Sequence, residues 1–220
     1  MKRSEDSSQK NLLNQFFNAF NVEFSKETIE KLYGFADLVV ETKEYGNLIS
    51  PKDSEKILSR HIADSLIPYI FIGKKICDSV QDSHPAIRWA DMGAGAGCPV
   101  FPLAIVMPQI QFYAVEPRNK RVQFMQYVKE TLHLSNMTVV GKRFETSGLY
   151  DLDFISCRAL STFENDWDRA EPSLKVSGTF LTLKSYNSIV QLENDPNVNI
   201  DTYSLINEEQ VYALVTRGKK

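Results

Sequence analysis

The sequence predicts a doubly wound α/β fold, with a mostly parallel sheet and an N-terminal helical extension. Two observations predict it. From about residue 86, short β-type runs alternate with helical ones, which is the rhythm of βαβ units around a parallel sheet. Between the first two runs lies a glycine-rich turn that opens toward a helix, at the place where open α/β sheets bind ligands.

The runs are IRWAD (87–91), IQFYAVE (110–116), MTVV (137–140), LDFISC (152–157) and GTFLTLK (178–184), with a helix over 118–133. Near the end, NIDTYSLI and YALVTR alternate and are joined by NEEQV, so they predict an antiparallel hairpin at the sheet edge. Upstream the period is helical. Residues 10–20 carry apolar side chains at helical spacing. Ser25 is a candidate N-cap with Glu27 in the first turn, followed by Ile29, Leu32, Tyr33, Ala36, Val39 and Val40 on one face. Tyr45-Gly46-Asn47 marks the end of that helix. Asp53 is expected to cap the next, which runs through Ile57, Leu58, His61, Ile62, Ser65 and Leu66 until Pro68 ends or kinks it. The chain therefore divides into a disordered tail (1–9), a helical extension (10–85) and the sheet domain (86–220).

Composition narrows the class. The 220 residues suit one sheet domain plus an extension and can bury a core without disulfide or metal staples. A net charge of −3 announces no nucleic-acid binder, so any such contact must come from local basic clusters. Cys77, Cys98 and Cys157, with His61, His84 and His133, match no metal-ligand spacing. Free thiols, a polar N-terminus and no apolar run of membrane-spanning length predict a cytoplasmic protein without a metal or a membrane partner.

The sharpest feature is Asp91-Met92-Gly93-Ala94-Gly95-Ala96-Gly97 after the first strand. A dinucleotide loop reads G-x-G-x-x-G, but starting from Gly93 its third glycine would fall on Cys98. The loop instead reads acid-x-G-x-G-x-G, which favours S-adenosylmethionine. Asp91 and the loop backbone at Gly93, Ala94, Gly95 and Gly97 are candidates to hold the methionine end. Glu116 ends the second strand, 25 residues after Asp91, where a carboxylate can accept hydrogen bonds from both ribose hydroxyls of an adenosine.

These residues belong to a longer collinear set: Asn47-Leu48, Arg60-His61-Ile62-Ala63-Asp64-Ser65-Leu66, the glycine loop through Pro99, Pro102-Leu103-Ala104, Asn119-Lys120-Arg121 with Phe124, Arg143-Phe144-Glu145, Ser156-Cys157-Arg158-Ala159 and Leu183-Lys184. From about residue 20 onward the sequence resembles the RsmG (glucose-inhibited division protein B) family, bacterial 16S ribosomal RNA guanine-N7 methyltransferases. It departs at Ala94, Cys98 and Val100, where the family usually has Thr, Phe and Gly. The resemblance implies the class I S-adenosylmethionine-dependent methyltransferase fold over 86–220, a small-subunit ribosomal RNA or 30S particle as substrate, and an adenine flanked by Phe144 or the backbone at Phe144-Glu145.

Roles for the remaining residues follow from chemistry. His61 and Asp64 lie three apart on one helix face and can bond each other or reach the methionine end. Arg121 and Arg143, with Arg118, Lys120 and Lys142 nearby, can meet RNA phosphates or simply be a solvated face. Arg158, at the end of the fourth strand, faces the methyl acceptor and is the candidate catalytic residue. A guanidinium there can bind phosphate or a guanine edge, or else pair with Asp91, Asp153 or Glu145. Cys157 has no activating neighbour and reads as structural. Two alternatives stay open: a nucleotide-dependent oxidoreductase, and a non-catalytic RNA-binding or ribosome-assembly protein on the same fold.

Overall fold

The computed structural model describes residues 6–42, 44–46, 48–79, 87–158 and 160–219. Residues 1–5 of the expected tail, Asn47 of the expected helix end, His84 and Ala159 lie outside them.

Helix α1 (Ser7–Ala19) starts inside the stretch expected to be a disordered tail. Asp6 accounts for the early start, because its carboxylate accepts from the Ser8 and Gln9 amides at 3.1 Å each and satisfies two orphan donors of the first turn. Ser25 caps α2 (Lys26–Glu41) as its spacing predicts. The cap of α3 (Pro51–Ser54) is Ser50, not Asp53. The Ser50 hydroxyl accepts from the Asp53 amide and donates to the Asp53 carboxylate, which leaves Asp53 as the first-turn acid. Beyond it the backbone widens into a π-helical turn over Ile57–Ile62, tightens into α4 (Ala63–Ser65), and widens again over Tyr69–Gly73 behind Pro68 before α5 (Lys74–Ser79).

The sheet comprises β1 (Arg88–Met92), β2 (Gln111–Val115), β3 (Met137–Val140), β4 (Leu152–Arg158), β5 (Leu174–Ser185), β6 (Val198–Ser204) and β7 (Val211–Gly218), ordered β3-β2-β1-β4-β5-β7-β6. The first five run parallel, and β7 enters antiparallel between β5 and β6, so the predicted hairpin does close one edge. Strand order reverses between β1 and β4, which opens the ligand crevice at their carboxyl ends.

Helices α6 (Val100–Val106) and α7 (Asn119–Thr131) cover one sheet face together with α1, α2 and the π-helical turn. Helix α8 (Phe163–Ala170) covers the other. The N-terminal helices share a single core with the sheet. Phe35 of α2 stacks on Phe101 of α6 at 5.6 Å, and Phe16, Leu32, Ile57 and Ile62 are fully buried beside them. Each such side chain contributes roughly 1.5–3 kcal/mol by leaving water. That packing places Arg60–Leu66 beside the crevice.

Candidate active site

The loop after β1 is folded back on β2. The amides of Gly93 and Ala94 both donate to the Val115 carbonyl, at 2.9 and 3.0 Å. Gly97 has φ +94°, and a Cβ there would stand 2.6 Å from the Phe101 ring, so this position excludes a side chain by conformation and by space. Gly97 thus packs the loop onto α6 and does not line the cavity. Glu116 is buried just past β2. Its Oε2 accepts from the Gly95 amide at 3.0 Å and its Oε1 from the Arg118 amide at 2.9 Å. One carboxylate therefore ties the glycine loop to the segment that leads into α7.

A cavity of about 450 Å³ opens above this junction. Gly93, Ala94, Gly95, Glu116 and Phe144 line it, as does Cys98. Leu48 and Ile49, from the connection between α2 and α3, close its far wall. Asp91 lies beneath the loop at 1 % exposure and accepts from the Ser156 hydroxyl at 2.6 Å. Burial pushes its carboxyl up to about 7, against the lowering effect of Ser156 and Arg158. The Glu145 side chain does not line the cavity. It is ion-paired with Arg169 at the surface, and that bond holds its carboxyl below the ordinary range.

The three arginines assigned to RNA separate. Arg143 is exposed at the cavity rim. Arg121 turns inward: its Nη1 donates to the Leu48 carbonyl at 3.4 Å and would lie 3.7 Å from a Cβ on Gly95. Arg158 lines both this cavity and a second, larger one of about 830 Å³. His61, Asp64, Phe163, Lys184, Tyr203 and Tyr212 are among the residues of that second wall.

Arg158 is gripped from the N-terminal helices. Its Nη1 donates to Asp64 Oδ2 at 3.1 Å, and its Nη2 lies 3.2 Å from His61 Nδ1. None of the carboxylates weighed from the sequence is its hydrogen-bonded partner. His61 and Asp64 do not bond each other, because both are turned toward Arg158. A guanidinium only donates, so His61 Nδ1 must be the acceptor and the ring is the neutral Nε2–H tautomer, with Nε2 3.4 Å from Asp53 Oδ1. Burial, and then the Arg158 charge, hold the imidazole below its ordinary range. The second oxygen of Asp64 accepts from the Tyr203 phenol at 2.5 Å.

The loop after β4 is pinned from the opposite side. Buried Asp166 accepts from the Ser161 hydroxyl at 2.6 Å and from Lys184 at 3.2 Å, and Lys184 also donates to the Ser161 carbonyl. Cys157 is fully buried and lines neither cavity, with Sγ 3.3 Å from Thr182 Oγ1, and burial pushes its thiol up, which fits a structural role. Among the described residues no group of three metal-ligating side chains converges, and no helix is long and apolar enough to cross a membrane.

The strand order, with the glycine loop beside an acid-tipped second strand, places the molecule among the class I S-adenosylmethionine-dependent methyltransferases. Solved structures share the fold. A Thermotoga maritima S-adenosylmethionine-dependent O-methyltransferase superposes with TM-score 0.53 at 16% identity, over 84% of this chain and 72% of that one. A Geobacter sulfurreducens methyltransferase does so with TM-score 0.54 at 10% identity, over 90% of each chain. The chain belongs to the GidB family, described as rRNA small subunit methyltransferase G, which matches residues 28–213. Curated relatives named ribosomal RNA small subunit methyltransferase G are 30% identical in Acetivibrio thermocellus, over 83% of this chain and 73% of theirs, and 30% identical in Staphylococcus aureus, over 79% and 70%. Membership in this family sets aside the nucleotide-dependent oxidoreductase.

The chain is therefore an S-adenosylmethionine-dependent methyltransferase, and the residues present fit that cofactor. A buried carboxylate at the end of β2 suits ribose hydroxyls. Glycines keep the loop clear of side chains, and apolar Ile49, Val115 and Phe144 suit an adenine. Periodicity alone reveals neither Leu48 and Ile49 in the wall of the smaller cavity nor Tyr203 as the partner of Asp64. The motif block containing Asn47-Leu48 was the available signal for the first; no motif marks the second.

Proposed function

We propose that the chain methylates N7 of a guanine in small-subunit ribosomal RNA, free or within the 30S particle, in the cytoplasm. The observation that carries this reading is that the cofactor cavity and the larger cavity share one wall residue, Arg158. A methyl donor on one side of Arg158 and an acceptor base on the other would be neighbours.

When bound, the cofactor supplies a methyl group activated on a sulfonium. Guanine N7 has an exposed lone pair, so no residue need remove a proton before attack, and catalysis can rest on placement and exclusion of water. The site is built for placement. Glu116 would take the ribose hydroxyls, and Phe144 would flank the adenine. Asp91 would act from beneath the loop on the methionine ammonium. Arg121, directed inward, would act on the cofactor or its covering segment, and Arg143 is left to meet RNA phosphate. The Hoogsteen edge of guanine presents O6 beside N7. Arg158 has five N–H donors, and its bonds to Asp64 and His61 leave others for O6 or a phosphate.

Transfer of labelled methyl from S-adenosylmethionine into purified small-subunit particles lacking the modification tests this reading. Incorporation with wild type and its loss with Arg158→Ala support it, whereas incorporation that Arg158→Ala leaves unchanged removes the two-cavity account.

A further inference from the structure

We infer that Tyr203 is a positioning residue for methyl transfer, acting through Asp64 to hold Arg158 on the wall between the two cavities. The inference rests on the acceptor reading proposed above. It draws on an element that otherwise serves only to close the sheet.

Tyr203 stands on β6, the edge strand, 5 % exposed. Its ring stacks on Tyr212 of β7 at 5.7 Å and 23°, and the two residues are register partners across the hairpin. Tyr212 is itself held by a bond from its phenol to Glu208 at 2.6 Å. The Tyr203 ring is therefore fixed before its hydroxyl is considered. The hydroxyl donates to Asp64 Oδ1 while Asp64 Oδ2 accepts from Arg158.

With a donor on each oxygen, the carboxylate cannot rotate away from Arg158 without losing a hydrogen bond in a buried place, which is costly. Without the phenol, the Asp64 carboxylate could swing away and leave the guanidinium held from the helices by His61 alone. The phenol removes that freedom. Both cavities are bounded by the atoms this chain of bonds places, so a small displacement of the guanidinium would misplace the acceptor more than it would weaken binding of either ligand.

The test is Tyr203→Phe, which keeps the stacked ring and removes only the donor. With the full-length protein we expect S-adenosylmethionine affinity within about twofold of wild type, and kcat on small-subunit particles lowered about tenfold with KM little changed. Asp64→Asn should cost more. The double variant should be no slower than Asp64→Asn alone, since both substitutions break one chain of bonds. A crystal structure of Tyr203→Phe should show the Asp64 carboxylate rotated and Arg158 moved from its wild-type place. Wild-type kcat in Tyr203→Phe, or kinetic costs that simply add in the double variant, would overturn the inference. If wild type proves inactive on particles, the acceptor reading fails separately, and the crystal structure still decides: an Arg158 unmoved in Tyr203→Phe overturns the positioning role.

Discussion

Asp64 and Arg158 are 94 residues apart in the chain, yet the Asp64 carboxylate lies 3.1 Å from the Arg158 guanidinium. One belongs to the N-terminal helices and the other to the end of β4. Their bond joins the helical extension to the catalytic crevice. Breaking such a partly buried pair from one side leaves an uncompensated charge, at a cost of roughly 3 kcal/mol. Arg158→Ala should therefore lower thermal stability as well as turnover. Arg158→Lys keeps the charge but cannot serve Asp64 and His61 from one planar fork. It should retain most of the stability and lose turnover by about tenfold or more, while cofactor affinity changes little. Calorimetry beside single-turnover rates checks this split, and full turnover in Arg158→Lys contradicts it.

Glu116→Ala should weaken S-adenosylmethionine binding by about tenfold or more, because it removes the tie to the Gly95 amide and, in the proposed site, the acceptor for the ribose hydroxyls. Equal affinity of variant and wild type by calorimetry would remove Glu116 from the cofactor site.

Sequence and structure agree where periodicity is strong. The strand runs from IRWAD to YALVTR and the helix after Glu116 all form within a few residues of expectation, because alternation and helical spacing are properties of the local chain. The early start of α1 is hidden because Ser7-Ser8-Gln9 is polar and the capping role of Asp6 shows only in its bonds to the amides. Tyr203 is hidden for a different reason. In NIDTYSLI it shares a strand face with Asn199 and Asp201, opposite Val198 and Ile200, so alternation reads it as outward. On that face Asn199 stays exposed and Asp201 is half-buried, and only Tyr203 is buried, packed into the core that the N-terminal helices share with the sheet. The partner of Arg158 is hidden too: the sequence offers Asp91, Asp153 or Glu145 for an ion pair, and only the fold brings Asp64 to it from 94 residues away.

Arg121 and Arg143 should behave differently, although the sequence alone assigns both to RNA. Arg143→Ala should lower RNA affinity and flatten its salt dependence by about one phosphate contact. Arg121→Ala should change the salt slope little and weaken cofactor binding, since its guanidinium holds Leu48 over that cavity. Salt titrations of RNA binding beside cofactor calorimetry distinguish the two. A loss of salt slope in Arg121→Ala with unchanged cofactor affinity would instead place Arg121 on the RNA.

Asp91 gives a pH signature. Burial raises its folded-state pKa from 3.8 to about 7. Its contribution to stability is therefore fully present below the unfolded value and is lost as pH rises through about 7, at up to about 1.4 kcal/mol per pH unit across that window. Asp91→Asn keeps an acceptor for Ser156 and has no proton to lose. The stability of the variant relative to wild type should rise between pH 4 and about 7 and level off above it. Denaturant melts at several pH values check this, and a difference that is flat with pH would mean that Asp91 titrates normally.

Gly97→Ala should lower stability by about 2 kcal/mol or more, through the left-handed backbone and the Phe101 ring together. Cofactor affinity should fall with it, as the loop shifts. A thermal midpoint equal to that of wild type would contradict the packing described for this loop.

The most direct test of the central claim is nucleoside mass spectrometry of small-subunit ribosomal RNA after reaction with isotopically labelled S-adenosylmethionine. Attack by the N7 lone pair, which needs no proton removed first, predicts label in 7-methylguanosine alone. Label recovered in N6-methyladenosine or 5-methylcytidine, with none in 7-methylguanosine, would contradict it.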